Sequence, residues 1–394
     1  MERISIQSAT LTFFFFIVIS TCHSYGPPSP EPNLSVSLLD ESTLFTYDEA
    51  SVGCYRIPIM LRTSKGTIIV AAEGRKLKKI RWVCDDYGPK FIAVRRSLDD
   101  GLTWEPIQLV FNDPSPSGMN LGTIFEDETN HTVFIQFIHG FFGRGNTIGL
   151  IASQDEGRTW GSARNISEQL GTFPFIGGPG YGLTKKYPPH EGRMLFCGHG
   201  DIPRDGVYCI YSDDHGKTWH WGAEMPSIPY GRQRKKRGDF NPDECQPYEM
   251  PNGEIVVSAR NENVYHCACR LQLVSKDGGD TFSHRDIRIL EDLPDVVVQA
   301  SALFSDDVVF FSAPYNHHPG NRINMTLSWS TDYGKSYRHH FPVWGGGSGY
   351  SSLSSIHPVH EMGFGVLGLV FEKGPVKHTY WHTISFVRLA YIMK

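Results

Sequence analysis

Short apolar runs alternate with tight polar turns along most of the chain. Phe91-Ile92-Ala93-Val94, Ile148-Gly149-Leu150-Ile151, Val207-Tyr208-Cys209-Ile210, Leu271-Gln272-Leu273-Val274 and Met325-Thr326-Leu327-Ser328 read as β-strands. Each leads into one polar unit, Ser-x-Asp-x-Gly-x-Thr-aromatic, at residues 97–104, 153–160, 212–219 and 275–282. A fifth copy at 330–337 ends Ser336-Tyr337. Asp tolerates turn geometry and bonds its own backbone, and Gly supplies a positive φ, so the unit predicts a hairpin whose aromatic residue starts the next strand. The Ser-to-Ser steps are 56, 59, 63 and 55 residues, room for four short strands and their turns. Such a unit is one blade of a β-propeller. The 350 residues from Phe45 onward divide into six such units. The expected fold is therefore all-β: one six-bladed β-propeller over residues 45–394, with Cys54 to Pro58 in its first strand. The run 384–391 is placed to pair near the first strand and close the ring.

The N-terminus follows a different pattern. Arg3 precedes an apolar run, 11–19, holding Phe13 to Phe16, and Ser20, Thr21 and Ser24 follow. The run is shorter than the ~20 residues of a membrane span, so residues 1–24 read as a secretory signal peptide. A Pro-rich stretch, Pro27 to Pro32, marks residues 25–44 as an extended linker.

Composition narrows the classes. Gly 40 and Pro 25 in 394 residues fall short of a disordered tract, and 12% aromatics suit many short strands. A net charge of -5 argues against neutralising nucleic-acid phosphates. Of eight cysteines, signal cleavage removes Cys22 and leaves an odd seven, so at least one is free or intermolecular. Cys267-x-Cys269 beside His266 lacks the spacing of a zinc knuckle, and no metal or cofactor is expected. Four sequons, at Asn33, Asn130, Asn165 and Asn324, fit a glycoprotein. The basic run 232–237 reads as a solvated loop or as a dibasic processing site.

The repeated units are structural, because five copies cannot face one site. Chemistry belongs where blades converge on the axis. Three arginines stand at or near apolar strands: Arg56 in Tyr55-Arg56-Ile57-Pro58, Arg260 after Ile255 to Ala259, and Arg322 before Ile323. Permanently charged and fork-shaped, they suggest a clamp for a carboxylate.

Tyr-Arg-Ile-Pro followed by repeated Asp boxes resembles the sialidase (neuraminidase) superfamily over nearly all of the mature chain. Three longer strings, 91–97, 240–249 and 348–353, are similar to its animal lysosomal branch. The resemblance implies an exo-α-sialidase that removes terminal sialic acid from glycoproteins, oligosaccharides and glycolipids with retention of configuration. It implies that Arg56, Arg260 and Arg322 bind the substrate carboxylate and that Glu372 orients Arg56. Tyr350 is then the nucleophile, Glu244 its activating base, and Asp86, rather than the adjacent Asp85, the acid/base. Glu73, Arg75 and Asn120 match positions lining the pocket, whereas Tyr248 and His199 read as satisfied buried polar residues. An insertion holding Lys78, Lys79, Arg81, Trp82 and Cys84 crowds the approach to Asp86.

A tyrosine nucleophile has a reason. Sialic acid carries a carboxylate on its anomeric carbon, which repels an anionic nucleophile but not a phenol. A phenol of pKa ~10 then needs an adjacent base. A sialic-acid lectin on a dead scaffold would lack one of these groups, and all are present. A ten-bladed sorting receptor would need more boxes and a membrane span. The resemblance further implies a lysosomal destination through the secretory route, with protective protein/cathepsin A as carrier and homo-oligomers as a further association. The branch ends in a Tyr-x-x-bulky-hydrophobic sorting signal, whereas this chain ends Tyr391-Ile392-Met393-Lys394. Delivery is therefore expected to rely on N-glycans or the carrier.

Overall fold

A computed structural model describes residues 34–49, 52–76, 84–140, 146–171, 175–200, 204–231, 234–359, 363–376 and 379–393. The expected signal peptide, the linker up to Asn33, Lys78, Lys79, Arg81, Trp82, Arg232, Gln233 and Lys394 lie outside these residues. Among the described residues no helix is long and apolar enough to cross a membrane.

The described residues are all-β apart from two short helical turns. It opens with β1 (Leu34–Thr46). A first antiparallel sheet holds β2 (Cys54–Arg62), β3 (Ile68–Arg75), β4 (Lys90–Ser97) and β5 (Gln108–Asp113) in that order. A second holds β6 (Met119–Asp127), β7 (Thr132–His139), β8 (Thr147–Ser153) and β9 (Arg164–Asn165). After a one-turn helix, α1 (Ser167–Leu170), come three short pieces: β10 (Phe175–Gly177), β11 (Gly180–Tyr181) and β12 (Leu183–Thr184). β10 and β12 pair with β13 (Met194–Gly200), which continues through β14 (Gly206–Ser212) to β15 (His220–Pro226), while β11 crosses to pair with β6 in parallel. A fourth sheet holds β16 (Pro242–Glu249), β17 (Ile255–Asn261), β18 (Cys269–Ser275) and β19 (Arg288–Pro294). The last, of seven strands, runs β20 (Ser301–Ser305), β21 (Val308–Pro314), β22 (Ile323–Ser330), β23 (His339–His357), β24 (Phe364–Gly374) and β25 (Thr383–Met393), with β1 on its edge.

The arrangement is propeller-like, with four four- or five-stranded blades and the seven-stranded sheet. The leading strands converge: β2 lies against β6, β11 and β23, and β16 against β11, β13 and β20. Each sheet is covered on both faces, which explains why its strands are continuous apolar runs. Ile69, Ala71 and Ile92 of the first blade pack on Ile124, Ile135 and Phe137 of the second, all buried. The other face of the first blade, with Val70 and Phe91, packs on Val370 and Phe386 of the seven-stranded sheet.

Each Ser of the repeated unit is the last residue of a blade's third strand, and each unit makes one hydrogen-bonded turn. In the first, Ser97 Oγ accepts from Gly101 N at 2.8 Å, and Asp99 accepts from Thr103 N at 2.8 Å and Thr103 Oγ1 at 2.6 Å. In the fifth, Ser336 stands in for Thr, donating from N at 2.9 Å and Oγ at 2.7 Å to Asp332. Asp100 and Gly101 both have positive φ, 57° and 86°, and glycine bears the second without a Cβ penalty.

The linker assignment needs correction. Residues 34–44 form most of β1, which pairs with β25 from Leu34↔Met393 to Thr46↔Thr383. Leu34, Leu44 and Phe45 are buried, so this segment gains the apolar cover and ladder partners that a linker lacks. Cys54 to Pro58 accordingly begins the second strand. Three disulfides join Cys54–Cys84, Cys197–Cys209 and Cys267–Cys269, and Cys245 is a buried free thiol.

Candidate functional site

Three arginines from three sheets reach one tyrosine. Arg56 is the third residue of β2, where the ladder bulges between Arg56 and Ile59 and Ile57 takes φ 58°. A β-branched residue there is strained, and a hydrogen bond from Ile57 N to Glu372 Oε1 at 2.9 Å holds it. The same Glu372 oxygen accepts from Arg56 Nε at 2.5 Å, and Oε2 accepts from Tyr350 N at 3.0 Å. Glu372, fully buried in β24, thus fixes both the arginine and the tyrosine backbone. The Arg56 guanidinium lies 5.3 Å from the Tyr350 ring centre and that of Arg322 5.8 Å. Arg322, just ahead of β22, donates to Val297 O at 3.0 Å and forms no ion pair with a described carboxylate.

Tyr350, in β23, donates its hydroxyl to Glu244 Oε1 in a very short contact. Glu244 Oε2 accepts from Arg260 Nη1 at 2.7 Å, closing a chain Tyr350–Glu244–Arg260 across β23, β16 and β17. Burial pushes the Tyr350 phenol well above its ordinary value, and the Glu244 charge pushes it further, against the pull of the three arginines. Burial also pushes Glu244 up, but Arg260, His199 and the tyrosine hydrogen bond outweigh it and hold the carboxyl below the usual range. The pair is a neutral phenol on an ionised carboxylate.

Asp86 occupies a second, linked cluster. Arg75 Nη1 donates to Asp86 Oδ1 at 2.6 Å and to the Cys84 and Asp85 carbonyls at 3.4 and 3.3 Å. Glu73, buried behind it, accepts from Arg75 Nε at 2.9 Å and Leu121 N at 2.7 Å and lies 3.3 Å from Lys90 Nζ. Lys90 donates to Asn120 Oδ1 at 3.3 Å. Asp85 turns to the backbone of Tyr87, accepting from its N at 3.2 Å in a local turn, while Asp86 faces Arg75, so the two aspartates part. The Asp86 side chain is 62% exposed. Partial desolvation pushes its carboxyl up, while Arg75, Arg56 and Lys90 outweigh that and hold it low. The Cys54–Cys84 disulfide ties this segment to β2 two residues from Arg56.

Every candidate therefore falls in one of two neighbouring clusters. Arg56, Arg260, Arg322, Tyr350, Glu244 and Glu372 form the first; Asp86, Arg75, Glu73 and Asn120 form the second. Tyr248 lies elsewhere, buried among Tyr337, Val256 and Leu290, and Gln272 Nε2 donates to its hydroxyl. Three neighbours of the site went unread. Tyr380 faces Arg56 and Arg322 at 5.2 and 5.4 Å. Lys90 is buried, its ammonium pushed down to about 8 by desolvation. Glu262 lies 2.5 Å from Arg260 Nη2. His199, expected to be a satisfied buried polar residue, stands 3.5 Å from Asp243 beside Glu244. A cavity of about 520 Å³ opens at the other ends of the leading strands, against Met60, Arg62, Glu126, Leu303 and Ser354; Tyr248 lines it, and no residue of the two clusters does.

Comparison with known proteins bears on this geometry. The family described as a BNR repeat-like domain matches residues 81–360, more than half of the chain. The chain belongs to that family, within the sialidase superfamily. It is 28% identical to a sialidase of Micromonospora viridifaciens over 387 residues, covering 88% of this chain and 53% of that protein. It is 26% identical to a sialidase of Bacteroides fragilis, covering 86% and 63%, and 26% identical to Sialidase-3 of Rattus norvegicus, covering 61% and 60%. The chain thus spans between half and two thirds of these relatives. Among solved structures, the Hadza microbial sialidase Hz136 superimposes with a TM-score of 0.71 at 23% identity, covering 88% of this chain and 68% of that one. The intramolecular trans-sialidase of Ruminococcus gnavus gives 0.65 at 17%, covering 88% and 96%. At these identities the structural likenesses establish the fold alone.

Proposed function

We propose that this superfamily member is a retaining exo-α-sialidase acting on terminal sialic acids of glycoproteins, oligosaccharides and glycolipids. The observation that carries the reading is the Tyr350 hydroxyl on Glu244 beneath Arg56, Arg260 and Arg322. The arginines receive the substrate carboxylate, and Arg322, whose Nη2 rests on the Val297 carbonyl, carries a charge that no described carboxylate pairs with. Tyr350 Oη attacks the anomeric carbon and passes its proton to Glu244, which Arg260 keeps ionised and able to accept it. Asp86 protonates the departing glycosidic oxygen as that bond breaks. Substrate covering the exposed Asp86 strips water from it and raises its pKa toward what an acid needs. Asp86 then takes a proton from water, which attacks the sialyl–tyrosine intermediate and releases sialic acid with its configuration retained. Tyr350 regains its proton from Glu244.

The reading extends to the architecture. β23 pairs with β22 through His339 to Gly347 and with β24 through Gly347 to His357. Taking the seven-stranded sheet as two blades sharing β23 makes six, and the five repeated turns are then Asp-box hairpins. Residues 1–24 are proposed as a signal peptide, and the catalytic domain is proposed to start with β1 at Leu34 rather than at Phe45. A lysosomal destination with a cathepsin A-type carrier follows from the resemblance. Tyr391 supports a glycan- or carrier-dependent route, because its ring is fully buried and its hydroxyl donates to Asp306. Release of 4-methylumbelliferone from its α-sialoside tests the function. A purified, folded chain inactive from pH 4 to 8 refutes it.

A further inference from the structure

Arg260 is already occupied. Nη1 lies 2.7 Å from Glu244 Oε2 and Nη2 2.5 Å from Glu262 Oε2, while Nε is buried without a hydrogen-bond partner. Nε and Nη2 form the side-on edge of a guanidinium, which grips a carboxylate with two parallel hydrogen bonds. Glu244 is committed to Tyr350 and holds the other nitrogen. Glu262 follows directly on β17, its N donating to Asn241 O at 3.2 Å; its Oε2 is buried against Nη2 without hydrogen-bond geometry while its side chain is 33% exposed, so the pair is imperfectly made and Glu262 has room to leave. We propose that Glu262 is a positioning residue that occupies the carboxylate-binding edge of Arg260 in the free enzyme and yields it when a substrate carboxylate is clamped there. This rests on reading the arginines as a sialoside carboxylate clamp.

Protonation controls the exchange. Arg260 faces Glu262 from its own strand, and Asp243 and Glu244 face it from β16, with His199 of β13 behind Asp243. Burial pushes the Glu262 carboxyl up, Arg260 pulls it down, the two β16 carboxylates push it up again, and the outcome is about 7. Below that pH Glu262 is neutral and a weak competitor. Above it, a carboxylate contests the edge. At pH 8 only about one enzyme in eleven then has Glu262 protonated, so apparent substrate affinity falls about tenfold relative to pH 5.

The test compares wild type with Glu262→Gln, which is neutral at every pH, by KM and kcat for the fluorogenic α-sialoside between pH 5 and 8. The wild-type KM is expected to rise about tenfold across this range. In the variant it is expected to stay within twofold, with the two proteins alike at pH 5. Calorimetric titration of a sialyl oligosaccharide into Tyr350→Phe, with and without Glu262→Gln, gives the same comparison without turnover. Parallel pH dependence in both backgrounds overturns the proposal. Absence of turnover by wild type at any pH overturns the underlying reading instead, so the two failures are distinct.

Discussion

Glu372→Gln probes how much of the site hangs on one buried carboxylate. Glu372 accepts three hydrogen bonds, from Arg56 Nε and Ile57 N on Oε1 and from Tyr350 N on Oε2. Glutamine offers one oxygen and one amide. If the oxygen keeps Arg56 and Ile57, the amide confronts Tyr350 N; reversed, it confronts Arg56. Leaving a buried N–H unpaired costs about 1–3 kcal/mol, and breaking a buried ion pair about 3–5 kcal/mol. Arg56 is only 6% exposed, so water cannot compensate. We expect a loss near 3–5 kcal/mol. At ~2.1 cal/mol/K per residue over roughly 360 folded residues, this lowers Tm by about 4–7 °C. Because the clamp and the Tyr350 backbone loosen together, kcat/KM should fall at least ~100-fold. Differential scanning calorimetry and sialoside kinetics read the two effects. The double variant Arg56→Met/Glu372→Leu removes both charges and should recover stability over the single variant while staying inactive. A Glu372→Gln protein within 1 °C of wild type and with half its kcat/KM would refute the reasoning.

Tyr350→Phe should abolish turnover and leave calorimetric binding of a sialyl oligosaccharide within a few-fold; retention of most of kcat would remove Tyr350 from the mechanism. Cys84→Ser releases the segment carrying Asp86, so kcat should fall several-fold more for an alkyl aglycone, which needs an acid, than for an aryl aglycone that leaves unaided. Equal losses would mean that the disulfide serves stability alone. EDTA should leave the rate unchanged, because no step above uses a Lewis acid; inhibition reversed by one divalent ion would contradict the mechanism.

Much of the frame was legible because it is local. The repeated turn is closed by side chains two and four residues apart, as Ser97, Asp99, Gly101 and Thr103 show, so its signal survives in the sequence. Blades packed on both faces leave apolar runs that are equally plain. β1 was misread because its partner, β25, lies some 350 residues away in sequence and its alternation breaks at Leu38-Leu39 and Leu44-Phe45, where the ladder register shifts. The arginines stood out as charges at apolar strands. Lys90 sits in the same setting at the start of β4, but its counter-charge Glu73 is on the neighbouring strand and gave no local signal. Glu262 looks like an ordinary strand-end carboxylate until Arg260, two residues earlier, is seen to turn toward it. Tyr380 lies in a turn with no periodicity to mark which way it faces. Disulfide pairing cannot be read from spacing, so the tether from Cys84 to β2 came only with the fold.

The central claim, a retaining sialidase reaction through Tyr350, is tested most directly by proton NMR of an α-sialoside during the first minutes of turnover. The account predicts that free sialic acid appears first as the α-anomer and mutarotates to β afterwards, and that Tyr350→Phe produces neither. Initial appearance of the β-anomer, or release at an undiminished rate by Tyr350→Phe, would contradict it.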